Sequence, residues 1–173
     1  MTSALKLVTV LCIATFINAC AGPETYRAYF GAPRDALKVA SVKGVQYVRN
    51  DIINRYVDGV RFAAVDGQDI DESHNFTALE LAPGFHDLHV YYFWDMGIQK
   101  GLAPALVSYA TDTEPMSRVL RFNARAGVAY SVKAAPSFGG EGENITNLTH
   151  VDFWVEDQNG VRIVSKEAGS YSP

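Results

Sequence analysis

The chain has 173 residues, 48% apolar and 20% charged, with a formal net charge of -4. This length accommodates one domain with its own core, and the composition argues against extended disorder and against several membrane spans. Basic and acidic side chains are interspersed, so nucleic acid, which needs a concentrated basic face, is not an expected partner.

The first element in chain order is an apolar run at residues 5–17, with Lys6 as its side-chain charge and small residues after it. It has the form of a secretory signal and is too short for the helix of about 20 residues that crosses a bilayer. Of the two cysteines, Cys12 lies inside the run and Cys20 just beyond it. Removing the signal removes Cys12, and beyond Cys20 no thiol remains for a disulfide, a zinc pair or redox work.

Ile17-Asn18-Ala19-Cys20 resembles the lipobox of bacterial lipoproteins, with Ile17 where leucine is usual. The resemblance implies that residues 1–19 are a signal peptide, that the chain is cut before Cys20, and that Cys20 carries the lipid. Several acyl chains on one residue make a stable tether, whereas one holds only marginally. Ala21 follows the cysteine where an inner-membrane retention signal has aspartate, which implies outer-membrane sorting in a two-membrane bacterium. The rival is Ala19-Cys20-Ala21 read as an A-x-A cleavage site, which would release a soluble periplasmic or secreted protein beginning at Gly22.

Residues 20–36 contain two prolines and two glycines without sustained periodicity and read as a tether. From residue 37 to the end the dominant signal has period two. Leu88, Val90, Tyr92 and Trp94 alternate with Asp87, His89, Tyr91 and Phe93, and similar alternation marks 120–125, 128–133 and 151–156. Such alternation predicts half-buried antiparallel strands. Further strands are expected at 37–48, 56–65, 77–81 and 161–164. The turns fall at Asp66-Gly67, Ala82-Pro83-Gly84, Ala126-Gly127 and Asp157-Gln158-Asn159-Gly160. The expected fold is all-β, a single antiparallel β-sandwich of seven or eight strands over 37–173. Helical turns are confined to 49–56 and part of 97–110, and long loops are expected at 95–117 and 135–150, where a binding surface would be sought first.

The order Val65-Asp66-Gly67, Leu79-Glu80-Leu81-Ala82-Pro83-Gly84-Phe85-His86, Ala126-Gly127-Val128 and Val155-Glu156-Asp157 resembles a group of small proteobacterial lipoproteins of unknown function. More distantly it is similar to PEGA-type and transthyretin-like β-sandwich modules, in which a V-D-G hairpin precedes L-x-P-G-x-H. The likeness covers about 37–165 and carries turn and strand signatures without catalytic content, so it implies a fold rather than an activity.

Chemistry-bearing constellations are sparse. His86 and His89 stand three apart, which on a strand sends them to opposite faces and prevents an easy shared metal. Asp69, Asp71, Ser73 and Glu80 fall at calcium-loop positions, yet His74 occupies the place of the required glycine, and an acidic solvated loop is the preferred reading. No G-x-S-x-G elbow is present, and Gly139-Gly140-Glu141-Gly142 lacks the lysine and helix of a phosphate loop. No catalytic residue, metal or cofactor is therefore expected. Sequons at Asn75, Asn144 and Asn147 are incidental beside the lipobox. Tyr91, Phe93 and Trp154 occupy outward positions of their strands and would form an aromatic patch for a sugar or partner protein if those strands were neighbours. A covering loop or a shifted register gives them a purely structural role instead.

The expected function is that of a membrane-anchored lipoprotein, in the outer membrane facing the periplasm, acting without catalysis as an interaction or envelope-structural module. The alternative is a glycan or small-molecule binder using the aromatics and long loops. An enzyme would need Asp, Glu and His gathered in one deep pocket.

Overall fold

Alternation in the sequence becomes alternation in burial. In β7 (Gly84–Phe93), His86, Leu88, Val90 and Tyr92 are buried while their neighbours are partly exposed, and Val151, Phe153 and Val155 do the same in β10 (Leu148–Asp157). The computed structural model describes residues 24–50, 55–95, 117–140 and 148–166. The remaining strands are β1 (Glu24–Arg27), β2 (Ala40–Gly44), β3 (Gln46–Asn50), β4 (Arg55–Val65), β5 (Gln68–Asp69), β6 (Phe76–Leu81), β8 (Ser117–Ala124), β9 (Ala129–Phe138) and β11 (Arg162–Val164). Short 3-10 turns at Ala36–Lys38 and Ser73–Asn75 are the only helical segments among the described residues.

The all-β expectation holds. Two open sheets form, one in the order β1-β6-β2-β9-β10-β11 and the other β3-β4-β7-β8 with β5 on β4. Their inner faces contribute to one apolar cluster, Leu79, Val132 and Phe153 from the first sheet and Phe62, Leu88 and Phe122 from the second. Phe122 meets Tyr130 edge to face across the two sheets at 4.9 Å, the arrangement favoured by the ring quadrupoles.

Several details differ from the expected plan. Pairing is mixed rather than wholly antiparallel, because β1 runs parallel to β6 and β2 parallel to β9. Part of the expected tether, Glu24–Arg27, is an edge strand, held on by main-chain pairing that leaves no hydrophobic period in so short a stretch. The expected loop at 135–150 is shorter, since β9 continues to Phe138 and β10 begins at Leu148. Within the expected helical turns at 49–56, Arg49 and Asn50 belong to β3 and Arg55 and Tyr56 to β4. Residues 51–54 and 96–116, with the other expected helical stretch, lie outside the described residues, as does everything before Glu24.

The expected strand 37–48 divides into β2 in one sheet and β3 in the other. Val45 is the joint: its N–H donates to Val132 O at 2.9 Å in the first sheet, and its carbonyl accepts from Val60 N at 3.0 Å in the second. Glycine is required on both sides of this joint. A Cβ on Gly44 would overlap the Val60 carbonyl oxygen, and one on Gly59 would lie 2.5 Å from Val45 O.

Strand direction sorts the connections into two ends. The β4–β5, β6–β7, β8–β9 and β10–β11 turns share one end. Strands β3, β7 and β9 finish at the other, so the connections through 51–54, 96–116 and 141–147 all start there.

Candidate functional site

At the tight-turn end, the residues of the V-D-G and P-G-x-H motifs bond to one another. Asp66 adopts φ 52° and Gly67 φ 76°, a left-handed pair that reverses the chain between β4 and β5. Asp66 N donates to Asp87 O at 2.8 Å and Asp87 N to Asp66 Oδ1 at 2.8 Å. The buried His86 ring lies between two acceptors, with Nδ1 2.7 Å from Asp66 Oδ2 and Nε2 2.8 Å from Ala82 O. Both nitrogens are thereby engaged in joining two turns, and neither is left for a metal or a substrate proton. His89 lies on the opposite face of β7, paired in register with Val119.

The three aromatics singled out in the sequence do not come together. Tyr91 and Phe93 lie on the outer face of the second sheet, Trp154 on that of the first, and β7 and β10 are not neighbours. Tyr91 Oη is 3.3 Å from Ser73 Oγ. Phe93 lies under the Arg61 guanidinium, 4.3 Å from its ring centroid, a cation–π contact that covers one ring face.

Trp154 has a different setting. Its indole N–H donates to Glu156 Oε1 at 2.7 Å, and Lys133, opposite it in register, reaches Glu156 Oε2 at 2.6 Å. Arg162 and Lys166 approach the ring at 5.4 and 4.6 Å from its centroid. The Lys133 ammonium first, and the indole N–H second, hold the Glu156 carboxyl below the usual carboxylate range. The result is one indole with three cations and one carboxylate around it, on a sheet face.

At the other end lies a cluster that the sequence reading passed over. Asp58 is 1% exposed. It accepts from Arg49 through Nε and, at 3.0 Å, through Nη2, and from Asp95 N at 2.9 Å. Arg49 Nη2 also donates to Asp95 O at 2.8 Å. The guanidinium lies 4.0 Å from the Trp94 ring centroid and 5.1 Å from that of Tyr56, while Trp94 meets Phe138 edge to face at 5.7 Å. Hydrogen bonding to Asp58 raises the arginine pKa further above its ordinary value. The signal was present in the chain: Asp58 occupies the inward phase of β4 shared by Val60 and Phe62, where a charge demands a partner. With both carboxylate oxygens occupied, Asp58 is suited to holding strands together rather than to taking a substrate proton.

Two clefts of about 230 Å³ each flank the tight-turn end. One is lined by Tyr26–Phe30 and Asp66, the other by Arg125, Tyr130 and Asp157. Asp157 is already occupied there: it accepts from Asn159 N and Val161 N at 2.8 and 2.9 Å. These backbone bonds, that from Val161 foremost, hold its pKa below the ordinary aspartate value. Of the calcium-loop positions, Ser73 contacts Tyr91 and Glu80 accepts from Tyr29 Oη at 3.1 Å. Among the described residues, no three His, Cys, Asp or Glu gather closely enough to hold a metal. No helix among them is long and apolar enough to cross a membrane. Cys20 lies outside the described residues. Comparison with known proteins finds no matching family model, curated protein or solved structure.

Proposed function

We propose that the protein is a lipoprotein fastened to the outer membrane through Cys20, whose two sheets form one sandwich of the PEGA-type or transthyretin-like kind. It serves as a non-catalytic interaction or envelope-structural module. The observation that carries this reading is Cys20 itself, at the end of a signal-like apolar run with no cysteine after it. The internal engagement of His86, Asp58 and Asp157 adds to it, because the polar groups with most chemical potential each bond within the fold. Intact mass of the membrane fraction tests the anchor: the expected product begins at Cys20 and carries acyl mass, and Cys20→Ser abolishes membrane retention. A mature chain beginning at Gly22 overturns it.

A second reading, binding of a glycan, is favoured by one observation. Arg162 and Lys166 lie over the Trp154 ring and Lys133 beside it, a cationic cluster on an aromatic base that suits the anion of an acidic sugar. Tyr91 and Phe93 belong to a separate surface and take no part in that site.

A further inference from the structure

The direction of β1 decides how an anchored protein would sit. β1 is parallel to β6, β6 antiparallel to β2, and β2 parallel to β9. Moving backward along β1 from Arg27 to Glu24 therefore leads toward the Phe138 end of β9, where β3 and β7 also finish. β1 begins on that side of the fold.

Its length is limiting. Cys20 precedes Glu24 by four residues, which span about 14 Å when fully extended. Glu24 pairs with Phe76, Ala78 with Lys43 and Lys43 with Ser131, so Glu24 stands level with Lys133. Phe138 lies about five residues farther along β9, or about 17 Å. A tether shorter than the distance to the rim cannot raise the domain clear of the surface that holds its lipid.

The rim has the chemistry for such contact. Val48 is 49% exposed, Asn50 and Arg55 are exposed, Tyr56 is half-buried beside the Arg49 guanidinium, and Trp94 packs against the core beneath it. Tryptophan and tyrosine favour the headgroup layer, where their rings meet apolar chains and their polar edges meet water. Arginine extends an apolar stem and a cation suited to lipid phosphate. Arg49 is already bonded to Asp58 and to Asp95 O, whereas Arg55 is exposed.

We infer that the end formed by Val48, Asn50, Arg55 and Tyr56 is a bilayer-contact surface, with Trp94 just behind it, held against the headgroups by the short link from Cys20 to β1. The inference rests on the lipidation proposed above. The tight-turn end, with Asp66 and the β10–β11 turn, then points away from the membrane and is the end open to partners.

Quenching by depth-labelled lipid tests this orientation. Asn50→Cys and Val161→Cys, each at an exposed position and at opposite ends, are labelled with bimane in the acylated full-length protein. The protein is placed in phosphatidylethanolamine–phosphatidylglycerol vesicles containing headgroup-labelled nitroxide lipid. Loss of emission at position 50 with retention at 161 is expected. Equal emission at both positions, or loss only at 161, overturns the orientation while leaving the anchor intact. A chain without acyl mass that washes from the vesicles overturns the anchor reading, and the contact surface falls with it. Native tryptophan emission supplies a second readout without new thiols: in Trp154→Phe the Trp94 signal should be lost to the same lipid, whereas retained emission opposes contact.

Discussion

The two ends of this fold are closed by different means. At the tight-turn end, short connections reverse the strands through left-handed residues such as Asp66 and Gly67, and the His86 ring ties two of those turns together. At the opposite end, β3, β4 and β7 are joined by an ion pair between the partly exposed Arg49 and the buried Asp58, bonded in addition to the main chain at Asp95. The first end is held by bonds near in sequence, four residues apart for His86 and Ala82 and 20 or 21 for the bonds to Asp66. The second combines a separation of nine residues between Arg49 and Asp58 with 37 and 46 for the bonds that bring in Asp95. A defect at the first end should stay local, whereas one at the second should reach the joint between the sheets.

The largest expected effect follows from Asp58→Ala, which leaves the Arg49 guanidinium and Asp95 N without their carboxylate. A loss of about 2 kcal/mol is expected in denaturant unfolding, the cost of several charge-assisted hydrogen bonds when the arginine left behind is one-third exposed to water. A loss no greater than that of a surface substitution would mean that the ion pair does not hold this end.

His86→Ala should cost nearly as much, about 2 kcal/mol, because two hydrogen bonds and a buried ring are lost while Asp66 keeps Asp87 N. Amide exchange should accelerate around Ala82 and Asp66 and remain unchanged near Trp94. Acceleration at both ends would erase the distinction between them.

Gly67→Ala should cost about 1 kcal/mol, since the backbone has φ 76° but nothing lies within 4 Å of the added methyl. Thermal melts of the variant and parent measure it. A larger loss would show that the turn packs against something beyond its own backbone.

The smallest effect concerns pH. Asp157 has its pKa lowered by the amides of Val161 and Asn159. Its contribution is fully present above the unfolded aspartate value of about 3.9 and is lost as pH falls through the lower folded value. Amide shifts of Asn159 and Val161 should therefore hold steady through neutral and mildly acid pH and move together only below that range. Asp157→Asn should remove the coupled movement, leaving Trp94 unaffected in both proteins.

Much of this could be read along the chain, and particular residues show where reading stops. The odd spacing of His86 and His89 placed them on opposite faces, because side-chain direction alternates along any strand. The same alternation gave Tyr91, Phe93 and Trp154 outward positions, but it contains nothing about which strands are neighbours. Tyr91 and Phe93 therefore lie on one sheet and Trp154 on the other. Asp58 could be noticed as a charge in an inward phase, whereas Arg49 lies in a stretch expected as helical turns, and their pairing depends on the register of β3 against β4.

By itself, the sequence determined the β class, the inward and outward faces of the main strands, and the principal turns, since each depends on side chains within a few residues of one another. It also placed Cys20 beyond a signal-like run with no later thiol. Only the tertiary structure decided the change of sheet at Val45, the parallel pairing of β1 with β6 and of β2 with β9, the separation of the aromatics and the side on which β1 begins. Those features arise from hydrogen bonds and close packing between segments distant along the chain, for which local periodicity carries no signal.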